Sequence, residues 1–302
     1  MIEYLQQLDY KFYTFWKKNY SFDYIGCNKK IIRLAKQYLD LFGKRLTDGI
    51  RDKRGKRVIV TLTSIPSRMD SLPYTIKSIY NQTVEPDFIV LYLAKSDYCG
   101  DDELPQSLKK LMGDRLIIEY VDDLRSHKKY YYALCNYPSD IMITIDDDII
   151  YSEKLLFNLL KSYEEHPGSV VCSRSNIIKR FGNKPMAYKT WKGIEDYEKR
   201  HLIKNEDIFF TTGGGTLFPN WLLTKESVKR DKFMALTFTA DDVWLNYMVR
   251  LSNIKVYNTD SLDCHCLFNC YDQEWCLSDY NLGMSGNDKC IRMMDEEYHI
   301  EL

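Results

Sequence analysis

The sequence has no run of about 20 consecutive apolar residues, the length that a membrane-spanning helix needs. Its first residues, MIEYLQQLDYKF, carry charge from Glu3 onward and contain no long apolar stretch, so they do not read as a secretory signal. These two absences predict a cytoplasmic protein. The nine cysteines, an odd number, cannot form a complete set of disulfides, and in a reducing compartment we expect them as thiols.

Two common phosphate-binding motifs are also missing. No GxxxxGK[ST] sequence is present, which excludes a P-loop, and no GxGxxG follows the first predicted strand, which removes the usual dinucleotide signature. Lys and Arg number 42 against 43 Asp and Glu, so the balanced charge predicts no nucleic-acid partner. A nucleotide bound by this chain would therefore be held in another way.

Short apolar segments alternate with amphipathic ones from residue 57 to residue 173. The predicted strands are 57–62, 88–93, 116–120, 141–145 and 170–172, and the predicted helices are 72–80, 104–112, 128–136 and 152–163, the last of them opened by a cap at Ser152. Such alternation gives right-handed βαβ units and a mostly parallel sheet that helices cover on both faces. The sequence therefore predicts an α/β fold with a Rossmann-like sheet.

The alternation becomes irregular after residue 173. A helix is predicted at 242–251 and a strand at 255–257, and the cysteine-rich tail from Asn258 onward reads mainly as loop. We divide the chain into an extension, residues 1–56, and one domain, residues 57–302. The regular half of that domain is 57–173, and the half expected to face a substrate is 174–302.

The extension has its own composition. Residues 1–56 carry thirteen Lys and Arg against six Asp and Glu, with aromatic residues between them. Apolar residues at helical spacing, from Ile31 to Phe42, predict a helix that ends before Gly43. Two interpretations stay open. The segment is either a helical extension that packs its aromatic residues on the main domain, or a surface that rests on anionic lipid at the inner face of a membrane.

Three adjacent aspartates, Asp146, Asp147 and Asp148, follow the predicted strand 141–145. In open parallel sheets, ligands bind at the carboxyl ends of the strands. Neighbouring carboxylates repel one another and remain ionised only where positive charge neutralises them. A hard divalent cation, Mn²⁺ or Mg²⁺, meets that need when a few carboxylates and several phosphate oxygens coordinate it. The alternative is a solvated loop or a group of helix caps.

Cationic and polar residues are expected near the same edge of the sheet. The turn Thr63-Ser64-Ile65-Pro66-Ser67-Arg68 follows the first predicted strand, and Thr63 and Arg68 are candidate contacts to a base, ribose or phosphate. Lys129, on the predicted helix 128–136, is a candidate partner of a diphosphate. In each case the alternative is an ordinary solvated side chain.

The order of these features resembles the nucleotide-binding half of a GT-A-type glycosyltransferase, of the family 2 kind. The resemblance rests on the strand, the Thr-Ser-x-Pro-x-Arg turn, the lysine-bearing helix and the strand that ends in three aspartates, and it covers about residues 57–260. In that fold an acidic DxD motif holds Mn²⁺ or Mg²⁺ against the diphosphate of a nucleotide sugar. Asp146 and Asp148 match its two outer acids, and Asp147 would also face the nucleotide.

The resemblance implies further roles in residues 174–302. Inverting members of this fold carry an acidic pair at the start of a helix well after the metal motif, and Asp241-Asp242 occupies that place. Asp242 is then the expected general base, and Asp241 is the second candidate for that role. We expect the backbone N–H groups at the helix start to lower the pKa values of both. Gly213 and Gly214 would lie under the donor sugar and acceptor, and His265 would be a further metal ligand.

The function that the resemblance implies is transfer of a sugar from a nucleotide sugar to a hydroxyl of a glycan or lipid-linked acceptor, with inversion, and a UDP-sugar is the expected donor. One alternative is a nucleotidyltransferase acting on sugar phosphates, but such enzymes usually carry a glycine-rich loop after the first strand, and residues 61–68 contain no glycine. The other is a non-catalytic glycan-binding protein, which would not explain three clustered acids.

The cysteines around His265 leave one more alternative. A zinc site is conceivable from His265 and from four neighbouring cysteines, Cys264, Cys266, Cys270 and Cys276. Their spacing fits a structural zinc site poorly, because such sites use CxxC-like pairs at longer separation. Buried thiols and a ligand to the catalytic metal are the other two interpretations.

Overall fold

The computed structural model describes residues 1–18, 24–43, 55–182, 184–193, 203–259, 261–268, 286–300 and 302. The helices are α1 (Ile2–Lys18), α2 (Tyr24–Phe42), α3 (Leu72–Tyr80), α4 (Gln106–Lys109), α5 (Lys128–Asn136), α6 (Leu155–Glu165), α7 (Arg230–Leu236), α8 (Asp241–Leu251) and α9 (Gly286–Tyr298). The strands are β1 (Val58–Thr63), β2 (Phe88–Ala94), β3 (Leu116–Val121), β4 (Ile141–Thr144), β5 (Ile149–Ile150), β6 (Val170–Cys172), β7 (Ser175–Ile177), β8 (Arg180–Phe181), β9 (Lys184–Pro185), β10 (Lys192–Gly193), β11 (Ile208–Phe210), β12 (Thr216–Pro219), β13 (Val256–Asn258) and β14 (Leu267–Phe268).

Seven of the described strands form the central sheet, in the order β13-β6-β12-β4-β1-β2-β3. β12 runs antiparallel to both of its neighbours, β4 and β6, whereas the other pairs are parallel. The predicted α/β fold with a mostly parallel sheet is therefore confirmed. Since β1 and β4 are adjacent and parallel, the turns that follow them lie at the same edge of the sheet.

The core lies on both faces of this sheet. Val58, Val60 and Leu62 of β1 belong to the apolar cluster that includes α3 and α6, whereas Ile59 belongs to the cluster that includes α5 and α8. Successive residues of a strand point to opposite faces, so a strand that is covered on both sides is apolar throughout. This double burial explains the continuous apolar segments that mark the strands in the sequence.

Several helix bounds agree with the predicted ones, and two do not. The structure begins and ends α3 and α5 where the sequence predicts. α4 is shorter than the predicted 104–112 because Leu104 precedes Pro105 and is extended. α6 begins at Leu155, and the predicted cap at Ser152 is wrong, since the Ser152 hydroxyl donates to the Asp263 carboxylate instead.

The tail is more ordered than predicted. β14 pairs with β5, and residues 286–298 form α9, so the prediction that the tail is mainly loop is wrong for these segments. Cys290, Ile291 and Met294 are buried on one side of α9, and Tyr247 of α8 donates a hydrogen bond to the Ile291 carbonyl at 3.1 Å. Residues 269–285 lie outside the described part of the chain.

In the described part of the extension, α1 and α2 pack together and on the domain. Their shared apolar cluster also contains Ile150 of β5 and Leu267 of β14, and its other buried members are Ile2, Leu5, Ile31, Ile32, Ala35 and Leu39. Residues of this extension therefore do pack on the main domain. None of the described helices is both long enough and apolar enough to cross a membrane.

Candidate active site

The turn after β1 binds the middle residue of the aspartate cluster. Ser64 Oγ donates a hydrogen bond to Asp147 Oδ2 at 2.5 Å, and Arg68 Nη1 donates to Asp147 Oδ1 at 2.6 Å. From α3, Thr75 Oγ1 donates to the Asp147 carbonyl at 2.9 Å. The buried Asp147 thus fixes the cluster to the first turn, and Arg68 supplies part of the neutralising charge that the sequence requires.

Asp148 has one carboxylate oxygen that the protein leaves unbonded. Arg68 Nη1 lies 3.3 Å from Asp148 Oδ2, but Oδ1 is buried and has no hydrogen-bond partner among the described residues. Burial and the nearby charge of Asp146 raise the pKa of Asp148 to about 7. A buried acceptor without a donor costs about 1–3 kcal/mol. A cation bound at this oxygen would remove that cost.

A hard divalent cation fits this pair of carboxylates. Asp146 leaves 40% of its side chain exposed, and Asp148 Oδ1 has no partner in the described structure. Mg²⁺ commonly takes one or two carboxylates and completes its shell with water and substrate phosphates. Within the described residues, no group of three or more His, Cys, Asp or Glu side chains is arranged to hold a metal.

Lys129 connects the aspartate cluster to the second acidic pair. Its ammonium lies 2.7 Å from Asp146 Oδ1 and 3.1 Å from Asp241 Oδ2, and only 4% of its side chain is exposed. Lys129 sits near the start of α5, and Asp241 is the first residue of α8. The structure thus brings together two predicted site regions that are more than ninety residues apart in the sequence.

Thr212 connects the acidic pair to the glycine segment. Its backbone N–H donates to Asp242 Oδ1 at 2.7 Å, and its hydroxyl lies 2.7 Å from both Asp242 Oδ1 and Asp241 Oδ2. A hydroxyl carries a single proton, so it can donate to only one carboxylate at a time. The two carboxylates therefore face each other across one donor, and in this buried environment ionising the second carboxyl group costs more than ionising the first.

The pKa values of Asp241 and Asp242 shift in opposite directions. Burial alone would raise the pKa of Asp241, but the Lys129 ammonium lowers it to about 2. Burial and the charge of Asp241 raise the pKa of Asp242 to about 6. The expectation that the helix start lowers the pKa of Asp242 is therefore wrong, because burial and a neighbouring charge outweigh the backbone N–H groups.

The glycine segment approaches the cluster too closely for any side chain. A Cβ atom at Gly213 would lie 1.7 Å from Asp146 Oδ2, and one at Gly214 would lie 2.3 Å from Arg174 Cβ. Tyr151 donates to the Gly213 carbonyl at 2.5 Å and accepts from the Asp146 backbone N–H at 2.9 Å. The absence of a side chain at Gly213 therefore leaves room for the Asp146 carboxylate, and its absence at Gly214 leaves room for Arg174.

Gly213→Ala is expected to lower activity by about 10²-fold, because the added methyl group must displace the Asp146 carboxylate, and misplacement by about 1 Å can cost that much. Gly113→Ala is the matched control, since a Cβ there meets nothing within 4 Å. Steady-state rates and melting temperatures of both variants would test this. Equal rates for the two variants would show that the close approach at Gly213 has no catalytic consequence.

Lys129→Met is expected to destabilise the protein by about 3 kcal/mol, since breaking a buried pair leaves an uncompensated charge. Breaking a buried pair usually costs about 3–5 kcal/mol. We take the lower end of that range because 40% of the Asp146 side chain is exposed and screened by water. Lys154→Met removes a half-exposed pair with Glu3 and should cost less than about 1 kcal/mol. Urea unfolding would measure both, and adding Asp241→Asn to Lys129→Met should restore part of the loss.

Two residues near this site, Arg174 and His127, were not among the predicted site residues. Arg174 follows β6 at the same edge of the sheet, and its charge interacts with those of Asp146 and Asp242. His127 is buried between Tyr130 and the Thr237 carbonyl, and burial lowers its pKa to about 4, so it is neutral. A cation directly after a buried strand was the available signal for Arg174, whereas nothing in the sequence distinguishes His127.

Thr63 and His265, two other predicted residues, have partners outside this group of contacts. Thr63 Oγ1 donates to the Tyr92 carbonyl at 2.8 Å, between β1 and β2. His265 Nε2 lies 2.6 Å from the buried Asp9 carboxylate of α1, and the Tyr10 and Tyr13 rings lie beside the imidazole. Metal binding by His265 stays a prediction. Cys270 and Cys276 lie outside the described residues, as does the side chain of Cys264.

The cysteines whose side chains are described form no disulfide with one another; they are Cys27, Cys99, Cys135, Cys172, Cys266 and Cys290. Cys266 is partly buried. It lies close enough to Arg174 and Tyr151 to interact with both. The reduced state of the nine cysteines stays a prediction.

The sequence profile of glycosyl transferase family 2 matches residues 65–223, slightly more than half of the 302 residues. The chain belongs to glycosyl transferase family 2. The matched segment of this family 2 protein contains Arg68, Lys129, the aspartate cluster and the glycine segment, but not Asp241 or Asp242. None of the curated proteins compared with the chain matches it.

Solved structures with a similar arrangement share little sequence with this family 2 protein. A 4-diphosphocytidyl-2C-methyl-D-erythritol synthase has 10% identity and a TM-score of 0.42 over 70% of this chain and 92% of its own. The 2-C-methyl-D-erythritol 4-phosphate cytidylyltransferase of Francisella tularensis has 10% identity and a TM-score of 0.42 over 76% and 100%. A CMP:2-keto-3-deoxy-manno-octonic acid synthetase has 8% identity and a TM-score of 0.41 over 67% and 89%. Scores this low support no argument about function.

Proposed function

We propose that this family 2 protein transfers a sugar from a nucleotide sugar, a UDP-sugar in the first instance, to a hydroxyl of a growing glycan or glycolipid. Asp146 and Asp148 would hold Mn²⁺ or Mg²⁺, which when bound stabilises the developing charge on the leaving diphosphate as a Lewis acid. The observation that carries the proposal is the set of contacts that links Asp146 through Lys129 to Asp241, and Asp241 through Thr212 to Asp242.

In this proposal Asp242 accepts the proton of the acceptor hydroxyl while that oxygen attacks the anomeric carbon and the bond to the diphosphate breaks. Thr212 donates to Oδ1 of Asp242, which orients the carboxylate and leaves Oδ2 for proton transfer. A pKa of about 6 keeps Asp242 ionised at neutral pH and still basic enough to take a proton. Attack opposite to the leaving group would invert the anomeric configuration.

Lys129 has a different role in the proposal. It neutralises Asp146 and Asp241 together, so a donor diphosphate would approach an acidic site whose excess negative charge is already reduced. Arg68 does the same for Asp147 and Asp148. We propose that residues 57–173 bind the nucleotide on these groups and that residues 174–302 present Asp242 and the glycine segment to the acceptor.

The direct test is to incubate the purified full chain with UDP-, GDP- and CMP-sugars, with Mn²⁺, with Mg²⁺ and with a chelator. Release of the nucleotide that depends on the metal, from one sugar donor, is the expected result. Assaying the same protein with nucleoside triphosphates and sugar phosphates tests the nucleotidyltransferase alternative. Formation of pyrophosphate there, without nucleotide release from any nucleotide sugar, would overturn the proposal.

A further inference from the structure

The outer face of α2 is exposed and apolar. Leu34 and Leu41 leave 51% and 74% of their surfaces exposed, on the side away from the buried Ile31, Ile32, Ala35 and Leu39. Among the described residues, three of the twelve exposed large apolar side chains lie on α2, a helix of 19 residues. Such a concentration of exposed apolar side chains typically marks an interaction surface.

The same face of α2 is basic. Lys30 and Arg33 are exposed, and Lys30 lies one helical turn before Leu34. The exposed acidic residue near them, Asp40, is paired with Lys77 of α3, whose ammonium lies 2.6 Å from Asp40 Oδ1. Pairing with Lys77 neutralises the negative charge, so the net charge of this face is positive.

We propose that this face of α2 docks on an anionic lipid bilayer. Leu34 and Leu41 would enter the boundary between headgroups and acyl chains, and Lys30 and Arg33 would bind the lipid phosphates beside them. Charge complementarity selects this occupant, because an apolar partner alone would give no reason for Lys30 and Arg33 to flank Leu34. The proposal does not depend on the transferase activity.

Sedimentation of the full chain with phosphatidylcholine vesicles, with and without phosphatidylglycerol, tests this proposal. We expect the protein to sediment only with the vesicles that contain phosphatidylglycerol, and less so as salt increases. The double variant Lys30→Glu/Arg33→Glu should bind at least about tenfold more weakly, because two attractive charges become repulsive. Leu34→Ser/Leu41→Ser should weaken binding to a similar extent through lost apolar burial.

Matched controls change the same residue types at other exposed positions. Lys204→Glu/Lys225→Glu alters the net charge equally, and Phe181→Ser/Leu251→Ser removes exposed apolar surface, so both should bind as the unaltered chain does. Equal binding to both vesicle types, unchanged binding of the α2 variants, or no binding at all would overturn the proposal. A change from dimer to monomer in the α2 variants, measured by light scattering in the absence of lipid binding, would assign the face to a second copy instead.

Discussion

Asp148→Asn is expected to lower kcat by on the order of 10³-fold and to raise the melting temperature of the metal-free protein. A metal bound at Asp146 and Asp148 would contribute several kcal/mol to stabilising the leaving group, and each ~1.4 kcal/mol corresponds to a factor of ten. The expected rise in melting temperature follows from the structure, because Asp148 is a mostly buried acid near Asp146, and one of its carboxylate oxygens has no hydrogen-bond partner among the described residues. Replacing it removes like-charge repulsion.

Initial rates and thermal melts, each with Mn²⁺ and with a chelator, would measure both effects. The unaltered protein should melt at a higher temperature when Mn²⁺ and UDP are added, and Asp148→Asn should lose that increase. Asp114→Asn is the control, since Asp114 is an exposed acid away from the cluster. If Asp148→Asn keeps a metal-dependent increase of the same size, Asp148 is not a metal ligand.

Asp242→Asn is expected to lower kcat by about 10²–10⁴-fold, the usual contribution of a general base. The amide keeps the shape of the side chain and can still accept a hydrogen bond from Thr212, so the fold should be preserved. The pH dependence of kcat/KM provides a second measurement. Below a pH of about 6 Asp242 is protonated and cannot accept the acceptor proton, so the rate of the unaltered enzyme should fall as the pH falls.

Asp241→Asn separates the two acids. The charge of Asp241 helps to raise the pKa of Asp242, so removing it should shift the acidic limb of the pH profile to lower pH. In Asp242→Asn the same limb should disappear. NMR of the product tests the role of Asp242 independently: retained anomeric configuration would contradict it, because a retaining transfer needs no such base.

Periodicity alone predicted most of the fold. The segments 72–80 and 128–136 became α3 and α5 with unchanged bounds, because each pairs an apolar face with a polar one and packs on a sheet. The antiparallel β12 and the helix α9 could not be predicted in the same way. Both belong to the half in which glycine, lysine and tyrosine interrupt the apolar pattern.

The structure brings several of the predicted site residues together, through contacts that the sequence did not predict. The sequence showed three aspartates in need of positive charge, and a metal was the expected source. The structure adds Arg68 and Lys129 as cations supplied by the chain, because the turn after β1 and the start of α5 lie at the same edge of the sheet. Which cation meets which acid depends on strand order, and no short-range pattern encodes that.

The sequence by itself determined the α/β architecture, the position of the acidic cluster after β4 and the family, since these follow from local patterns along the chain. Only the tertiary structure decided that Lys129 joins Asp146 to Asp241, and that Asp241 and Asp242 have opposite pKa shifts. The physical reason is that ion pairs and pKa values depend on burial and on distances of a few ångströms between charged groups. Such distances arise only when segments far apart in the sequence pack together.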